Sequence, residues 1–282
     1  MFKPELSSSV GYVIGKGLKD GEYLYALDPA VKKDLGELKA AGINSVELDV
    51  CGMHYAWAFE KLLKSSLKEV NKAGVTLNSV HYPFGVTWMD LASPWEADRL
   101  EIVKWIGKQF RTVDEFRPRA HVFHPGGDGI KACDADEYMT KLCDSVTRLA
   151  DLTDAYVCIE IMVGGELFNT VDKAEKLLER VPKANIVLDV NHLLHDKPEE
   201  AVLRLGDRIK TLHISDYDFV YERHLMPLEG KINWNAVISA LEKTGYDGRF
   251  NYELDMKKYG YNYKQISENY EKLFSDYNKS RA

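Results

Sequence analysis

Cysteine is scarce: the chain of 282 residues holds four, Cys51, Cys133, Cys143 and Cys158, and no two form a CxxC pair. This excludes an all-thiolate metal site and gives no sign of a secreted disulfide framework, so reduced thiols are expected. No apolar run approaches the length of a membrane span, and the opening Met-Phe-Lys-Pro-Glu-Leu-Ser lacks the apolar stretch of a signal peptide. The expectation is a cytoplasmic protein without membrane attachment. Positive charge is also short, with 37 Lys and Arg against 44 Asp and Glu and a net charge of −7, so there is no footprint of a nucleic-acid binder. Gly15-Lys16-Gly17 does not complete a GxGxxG fingerprint, which speaks against a doubly wound nucleotide-binding sheet. No Pro- or Ser-rich linker divides the chain, so residues 1–282 are expected to form one domain.

What is present is alternation. Short β-branched runs are each followed by a longer segment of helical period. Strands are expected at Ser9 to Ile14, Asn44 to Asp49, Thr76 to Tyr82, Ala120 to His124, Tyr156 to Ile161, Asn185 to Asp189, Ile209 to Ile214 and Arg249 to Leu254. Helices are expected between them at about Pro29 to Ala41, Ala56 to Ala73, from Ser93-Pro94, after Asp134, Thr170 to Arg180, Pro198 to Leu205 and from Asn233. The tyrosine-rich tail from Tyr261 to Tyr277 reads as a last helix packed on the rest. This repeat over the whole length predicts an α/β fold, a (β/α)8 TIM barrel.

The ionisable residues fall at one end of the predicted strands. His81 ends the third, His124 the fourth, Glu160 the fifth, Asp189 the sixth, His213 the seventh and Glu253 the eighth. In a barrel those ends converge on one face, and that face carries the chemistry. Carboxylates set among Val, Ile and Leu need a partner, and a shared cation satisfies several at once. Glu160, Asp189, His213 and Glu253 make a three-carboxylate, one-imidazole set. Such a set suits one divalent metal, with Mn²⁺ first, then Mg²⁺, Co²⁺ or Zn²⁺. Glu47 or Asp49 at the end of the second strand is expected to face the same pocket, touching substrate or a neighbouring histidine.

Longer stretches carry a resemblance. Val187-Leu188-Asp189-Val190-Asn191-His192 resembles a D-x-x-H on strand six, and Leu212-His213-Ile214-Ser215-Asp216 an H-x-x-D on strand seven. The run from Glu222-Arg223-His224 through Pro227-Leu228-Glu229-Gly230 to Asn233-Trp234 is similar to D-R-H-x-x-P-G-E-G-x-I-D-W. Phe250-Asn251-Tyr252-Glu253 resembles the strand-eight glutamate segment. Together they resemble the xylose isomerase-like barrel superfamily of sugar isomerases, ketose 3-epimerases and the endonuclease IV family. Three positions depart from that pattern: Glu222 and Asn233 stand where Asp is usual, and Leu228 where Gly is usual.

The resemblance implies that Glu160, Asp189, His213 and Glu253 hold the metal. It also implies that Glu160 and Glu253 exchange protons with the substrate from opposite faces. His81, His124, His192, Arg223 and His224 are then the residues that contact substrate. The implied function is that of a metal-dependent sugar isomerase or epimerase in carbohydrate metabolism. Its partner would be a small-molecule sugar, phosphorylated or not, and a homo-oligomer is compatible with the fold. A metal-polarised carbonyl acidifies the neighbouring C–H, and a carboxylate then removes that proton. The same set also serves a dehydratase or lyase acting on a related hydroxy-keto compound. A third alternative is an endonuclease IV-like zinc phosphodiesterase, because His81, His124, His192 and His224 stand where that family holds its zinc ions, with Glu222 replacing an aspartate. Other features are less specific. His54 and Trp88 follow strands and are candidates to line the pocket, Gly126-Gly127-Asp128-Gly129 reads as a turn or a phosphate cradle, and His195 reads as surface.

Overall fold

The computed structural model describes residues 2–11, 18–19, 22–23, 29–50, 56–84, 89–126, 135–163 and 167–281. Eight parallel strands form the barrel. They are β1 (Leu6–Gly11), β2 (Ser45–Asp49), β3 (Thr76–His81), β4 (Ala120–Phe123), β5 (Tyr156–Glu160), β6 (Ala184–Asp189), β7 (Ile209–His213) and β8 (Phe250–Tyr252). Their order around the sheet is β8-β1-β2-β3-β4-β5-β6-β7. The seam between β7 and β8 is closed just beyond β7. Ile214 N donates to Asn251 O at 2.8 Å and Glu253 N donates to Ile214 O at 3.1 Å, making the parallel bridge of Ile214 with Tyr252.

Helices α1 (Pro29–Ala40), α2 (Ala56–Ala73), α3 (Glu96–Val113), α4 (Ala135–Ala150), α5 (Val171–Arg180), α6 (Pro198–Leu205), α7 (Trp234–Thr244) and α8 (Tyr263–Lys279) alternate with the strands. Each lays an apolar stripe on the outside of the barrel, as Ala174, Leu177 and Leu178 do in α5. The tail is the expected last helix. It opens on a capping box, with the Asn262 side chain accepting from Gln265 N and Gln265 reaching back to Asn262 N. Ile266, Tyr270, Phe274 and Tyr277 of α8 are buried against the barrel.

Some expected boundaries move. The first strand begins at Leu6 rather than Ser9 and is described to Gly11; Tyr12 to Ile14 of the expected strand lie outside the described residues. Its inward Ser7 and Ser9 carry no apolar alternation that would mark it in sequence. Pro94 lies before α3, whose N-cap is Trp95, so the proline ends the preceding turn rather than filling the first helical one. Gly15 to Gly17, Cys51, His54, Trp88, Gly127 to Gly129 and Cys133 lie outside the described residues. None of the helices among the described residues is long and apolar enough to cross a membrane.

The barrel interior is divided by polarity. Ala120, Val122, Cys158 and Val187 form a separate buried apolar cluster from β4, β5 and β6. The other side holds buried Ser7, Ser45, Glu47, Ser79, Thr211 and Asn251. The candidate site sits over the strand ends above both halves.

Candidate metal centre and active site

Two register shifts set the site. Between Ile186 and Val187 the pairing of β6 with β7 slips, so that Asp189 stands opposite His213. Between Val46 and Glu47 the pairing of β2 with β3 slips likewise, which sets Glu47 beside Ser79. Such irregularities re-aim side chains without interrupting the sheet.

Glu160, at the end of β5, is the hub. Its Oε2 lies 3.2 Å from His81 Nε2 and 3.2 Å from His124 Nε2. Its Oε1 lies 3.0 Å from His213 Nδ1 and 3.4 Å from His192 Nδ1. Glu253 Oε2 approaches the same His213 Nδ1 at 2.9 Å. One ligand atom from each of Glu160, Asp189, His213 and Glu253 falls within 4.8 Å of the others. The four expected metal residues are thus brought together, at a spacing that fits a shared cation.

The donor set itself speaks for a cation. Asp189 is fully buried, and its Oδ2 has no hydrogen-bond partner, whereas Oδ1 accepts from Asn191 N at 2.7 Å. His192 Nε2 lies 3.3 Å from Oδ2 without a hydrogen bond, so the buried carboxylate is under-satisfied within a group of other carboxylates. Burial raises the Asp189 carboxyl to about 6, against the pull of His192. The histidines go the other way. Burial disfavours their charge, yet the Glu160 contact and nearby carboxylates lift His81 to about 9. Asp189 and Glu222 likewise lift His192 to about 10. His124 alone among them is lowered, because desolvation outweighs its contact with Glu160. The carboxylates thus favour the charged form of His81 and His192, and a divalent cation would balance the same negative charge in their place.

A second group lies alongside. Asp189, His192 and His224 also offer ligand atoms within 4.8 Å of one another. Glu222 Oε1 stands 2.7 Å from His224 Nε2 and 3.6 Å from His192 Nε2. Asp189 therefore belongs to both groups. His81 and His124 sit on the far side of Glu160, and His124 stacks on the ring of Phe84 with centroids 4.0 Å apart.

Arg223 is placed differently from the other expected substrate residues. Its guanidinium donates twice to Asp218 Oδ2, at 2.9 and 2.7 Å, and lies over the Tyr221 ring. These contacts include no member of the quartet. His195 is exposed, as expected. Of the two acidic residues on β2, Glu47 lies 3.0 Å from His213 Nε2, and Asp49 stands opposite His81 and favours the charged form of that histidine.

Sequence reasoning gave Asp216 no role, although the strand-seven motif contains it. Fully buried, it accepts four hydrogen bonds from the segment between β7 and α7: Tyr217 N, Ile232 N, Leu228 N and Trp234 Nε1. Asp216 thereby anchors the loop that carries Glu222 and His224. One departure in that loop has a local explanation, and another stands against its backbone. Asn233 is the N-cap of α7 and accepts from Ala236 N at 3.2 Å, a task Asn and Asp perform equally well. Leu228 has φ of +77°, a backbone that favours the usual glycine.

Comparison with known proteins agrees with this architecture. The xylose isomerase-like TIM barrel family profile matches residues 35–273. The chain belongs to this family. An uncharacterized protein of Methanocaldococcus jannaschii is 25% identical over 168 residues, covering 58% of this chain and 66% of that protein. Among solved structures, 3-keto-D-glucoside 4-epimerase of E. coli aligns over 97% of this chain and 100% of its own, with a TM-score of 0.73 at 16% identity. D-psicose 3-epimerase of Clostridium cellulolyticum aligns over 98% of each chain, with a TM-score of 0.74 at 15% identity. At these identities the structural likeness establishes the shared barrel.

Proposed function

We propose that this protein is a divalent-metal-dependent sugar isomerase or epimerase. The observation that carries the reading is the convergence of Glu160 and Glu253 on one nitrogen of His213, within a four-residue group of ligand-like atoms. The epimerase names of proteins sharing the barrel support it. Glu160, Asp189, His213 and Glu253 would hold one divalent ion, Mn²⁺ being the best match to a carboxylate-rich set. Bound there, the ion would polarise a sugar carbonyl and acidify the adjacent C–H.

The chain's own residues supply the proton chemistry. Glu160 and Glu253 are the pair that takes a proton from the carbon beside the carbonyl and returns it. Glu160 is almost fully buried and ringed by imidazoles, while Glu253 is about a quarter exposed. Glu253 is therefore the member that exchanges its proton with water. His81, His124, His192 and His224 are donors for substrate hydroxyls, arrayed on both sides of the quartet. The test is isotope exchange: with Mn²⁺ and a panel of ketoses in D2O, the protein should place deuterium at the carbon next to the carbonyl. Active protein that returns unlabelled product would refute the proton-transfer roles.

A second reading rests on the Asp189, His192 and His224 group beside Glu222. These residues would hold further zinc ions in a phosphodiesterase. Elemental analysis separates the readings. About one ion per chain supports the sugar enzyme, and three zinc ions with incision of abasic-site DNA support the nuclease.

A further inference from the structure

We propose that Glu47 is a positioning residue for His213. Its carboxylate lies against Nε2 of the imidazole and so keeps Nδ1, the other ring nitrogen, turned toward Glu160, Asp189 and Glu253. This rests on the metal-site reading above and deepens it.

The geometry is specific. Glu47 is fully buried in β2. Its Oε2 accepts from Ser79 Oγ at 2.6 Å and its Oε1 from Ser9 Oγ at 3.1 Å. Ser9 Oγ in turn accepts from Asn251 Nδ2 at 3.0 Å. The carboxylate is thus fixed from β1, β3 and β8, and its Oε1 lies 3.0 Å from His213 Nε2 on β7. His213 Nδ1 faces Glu160 at 3.0 Å and Glu253 at 2.9 Å. The two nitrogens of one ring therefore serve two different carboxylate environments, one inside the barrel and one at the site.

A purely structural role explains this less well. The apolar cluster of Ala120, Val122, Cys158 and Val187 fills the opposite half of the same interior without charge. A buried carboxylate is costly unless it is paired and hydrogen-bonded, and even then an apolar side chain often serves stability as well. Here its hydroxyl partners fix its position, and the contact with His213 gives the ring one orientation. Histidine ligands to metals are oriented in this way by a carboxylate on the far nitrogen, which fixes the tautomer and raises ligand basicity.

The experiment is calorimetric titration of metal-stripped protein with Mn²⁺ and Co²⁺, using wild type, Glu47→Gln and Glu47→Ala. Far-ultraviolet circular dichroism establishes that each is folded. Glu47→Ala should bind either ion about 10–100-fold more weakly. Glu47→Gln keeps the volume and an accepting oxygen, so its loss should be smaller. It also serves as the test if Glu47→Ala fails to fold. Proton NMR of the Co²⁺-loaded wild type should show one shifted, slowly exchanging imidazole N–H, and that proton should exchange faster in the variants. Unchanged affinity together with an unchanged protected N–H would overturn the role of Glu47 and leave the metal site intact. A wild type that takes up neither ion would instead overturn the metal reading itself, and this inference with it.

Discussion

The indole Nε1 of Trp234 donates to Asp216 Oδ2 at 2.8 Å. One buried carboxylate thus links the start of α7 to the end of β7, and three backbone N–H groups complete its shell. Gly230 lies close beneath it: a Cβ there would stand 2.2 Å from Asp216 Oδ1. Asp216→Asn should lower stability by about 1–3 kcal/mol, because an amide N–H₂ must now face donors it cannot satisfy. The same variant should weaken substrate binding, since the loop bearing Glu222 and His224 loses its anchor. Denaturant unfolding alongside ligand titration checks both. An unchanged midpoint would argue against the anchoring role.

Leu228 offers a test of opposite sign. It is exposed, and its φ of +77° is a left-handed backbone where a side chain is strained. Leu228→Gly should relieve strain of about 1–2 kcal/mol against an entropic cost of about 0.5–1 kcal/mol. The expected outcome is a melting temperature equal to or slightly above wild type. A clear drop would mean that the leucine side chain makes a stabilising contact.

Glu160→Gln and Glu253→Gln address the chemistry. Each keeps its size and one coordinating oxygen but removes the base. Turnover should fall at least ~10²-fold with metal still partly bound, and solvent deuterium should no longer enter the substrate. His192→Ala should raise KM more than it changes metal content. Full exchange activity in either Gln variant would remove that glutamate from the proton-transfer pair.

A pH effect is expected far from the site. His121 is fully buried, stacks on Phe110 at 4.0 Å and lies 3.0 Å from Asp114. Desolvation lowers its pKa despite the Asp114 contact. The unfolded chain, with an ordinary histidine near 6.5, therefore binds the proton more readily than the folded one. Stability should be fully present above that value and be lost as pH falls below it, by up to about 1.4 kcal/mol per unit, until the folded-state pKa is reached. Unfolding curves between pH 7 and 5 for wild type and His121→Gln test this. The variant should lack this component of the slope.

Much of this molecule is legible from its residues. Strands β2 to β7 announce themselves through β-branched runs, and their ends bring Glu160, Asp189 and His213 together as expected. Serine-lined β1 is less visible, because a strand whose inward side chains are small and polar has no apolar period to read. Arg223 sits in a motif, but its engagement by Asp218 depends on the turn between them. Asp216 is overlooked for a similar reason: three of its four partners are backbone N–H groups, which every residue type but proline supplies. Glu47 or Asp49 is marked as facing the pocket; two residues apart on one strand, they share a face, and Glu47 meets His213 while Asp49 stands opposite His81.

The seam of the barrel has a consequence for motion. β7 and β8 meet through the hydrogen bonds around Ile214 rather than through a regular ladder, so this joint is expected to open before the others. His213 stands on one lip of it and Glu253 on the other. Any molecule gripping both would act as a clasp. Hydrogen exchange at the Ile214 and Glu253 amides would then slow on binding, while the amides of β4 and β5 would keep their pace.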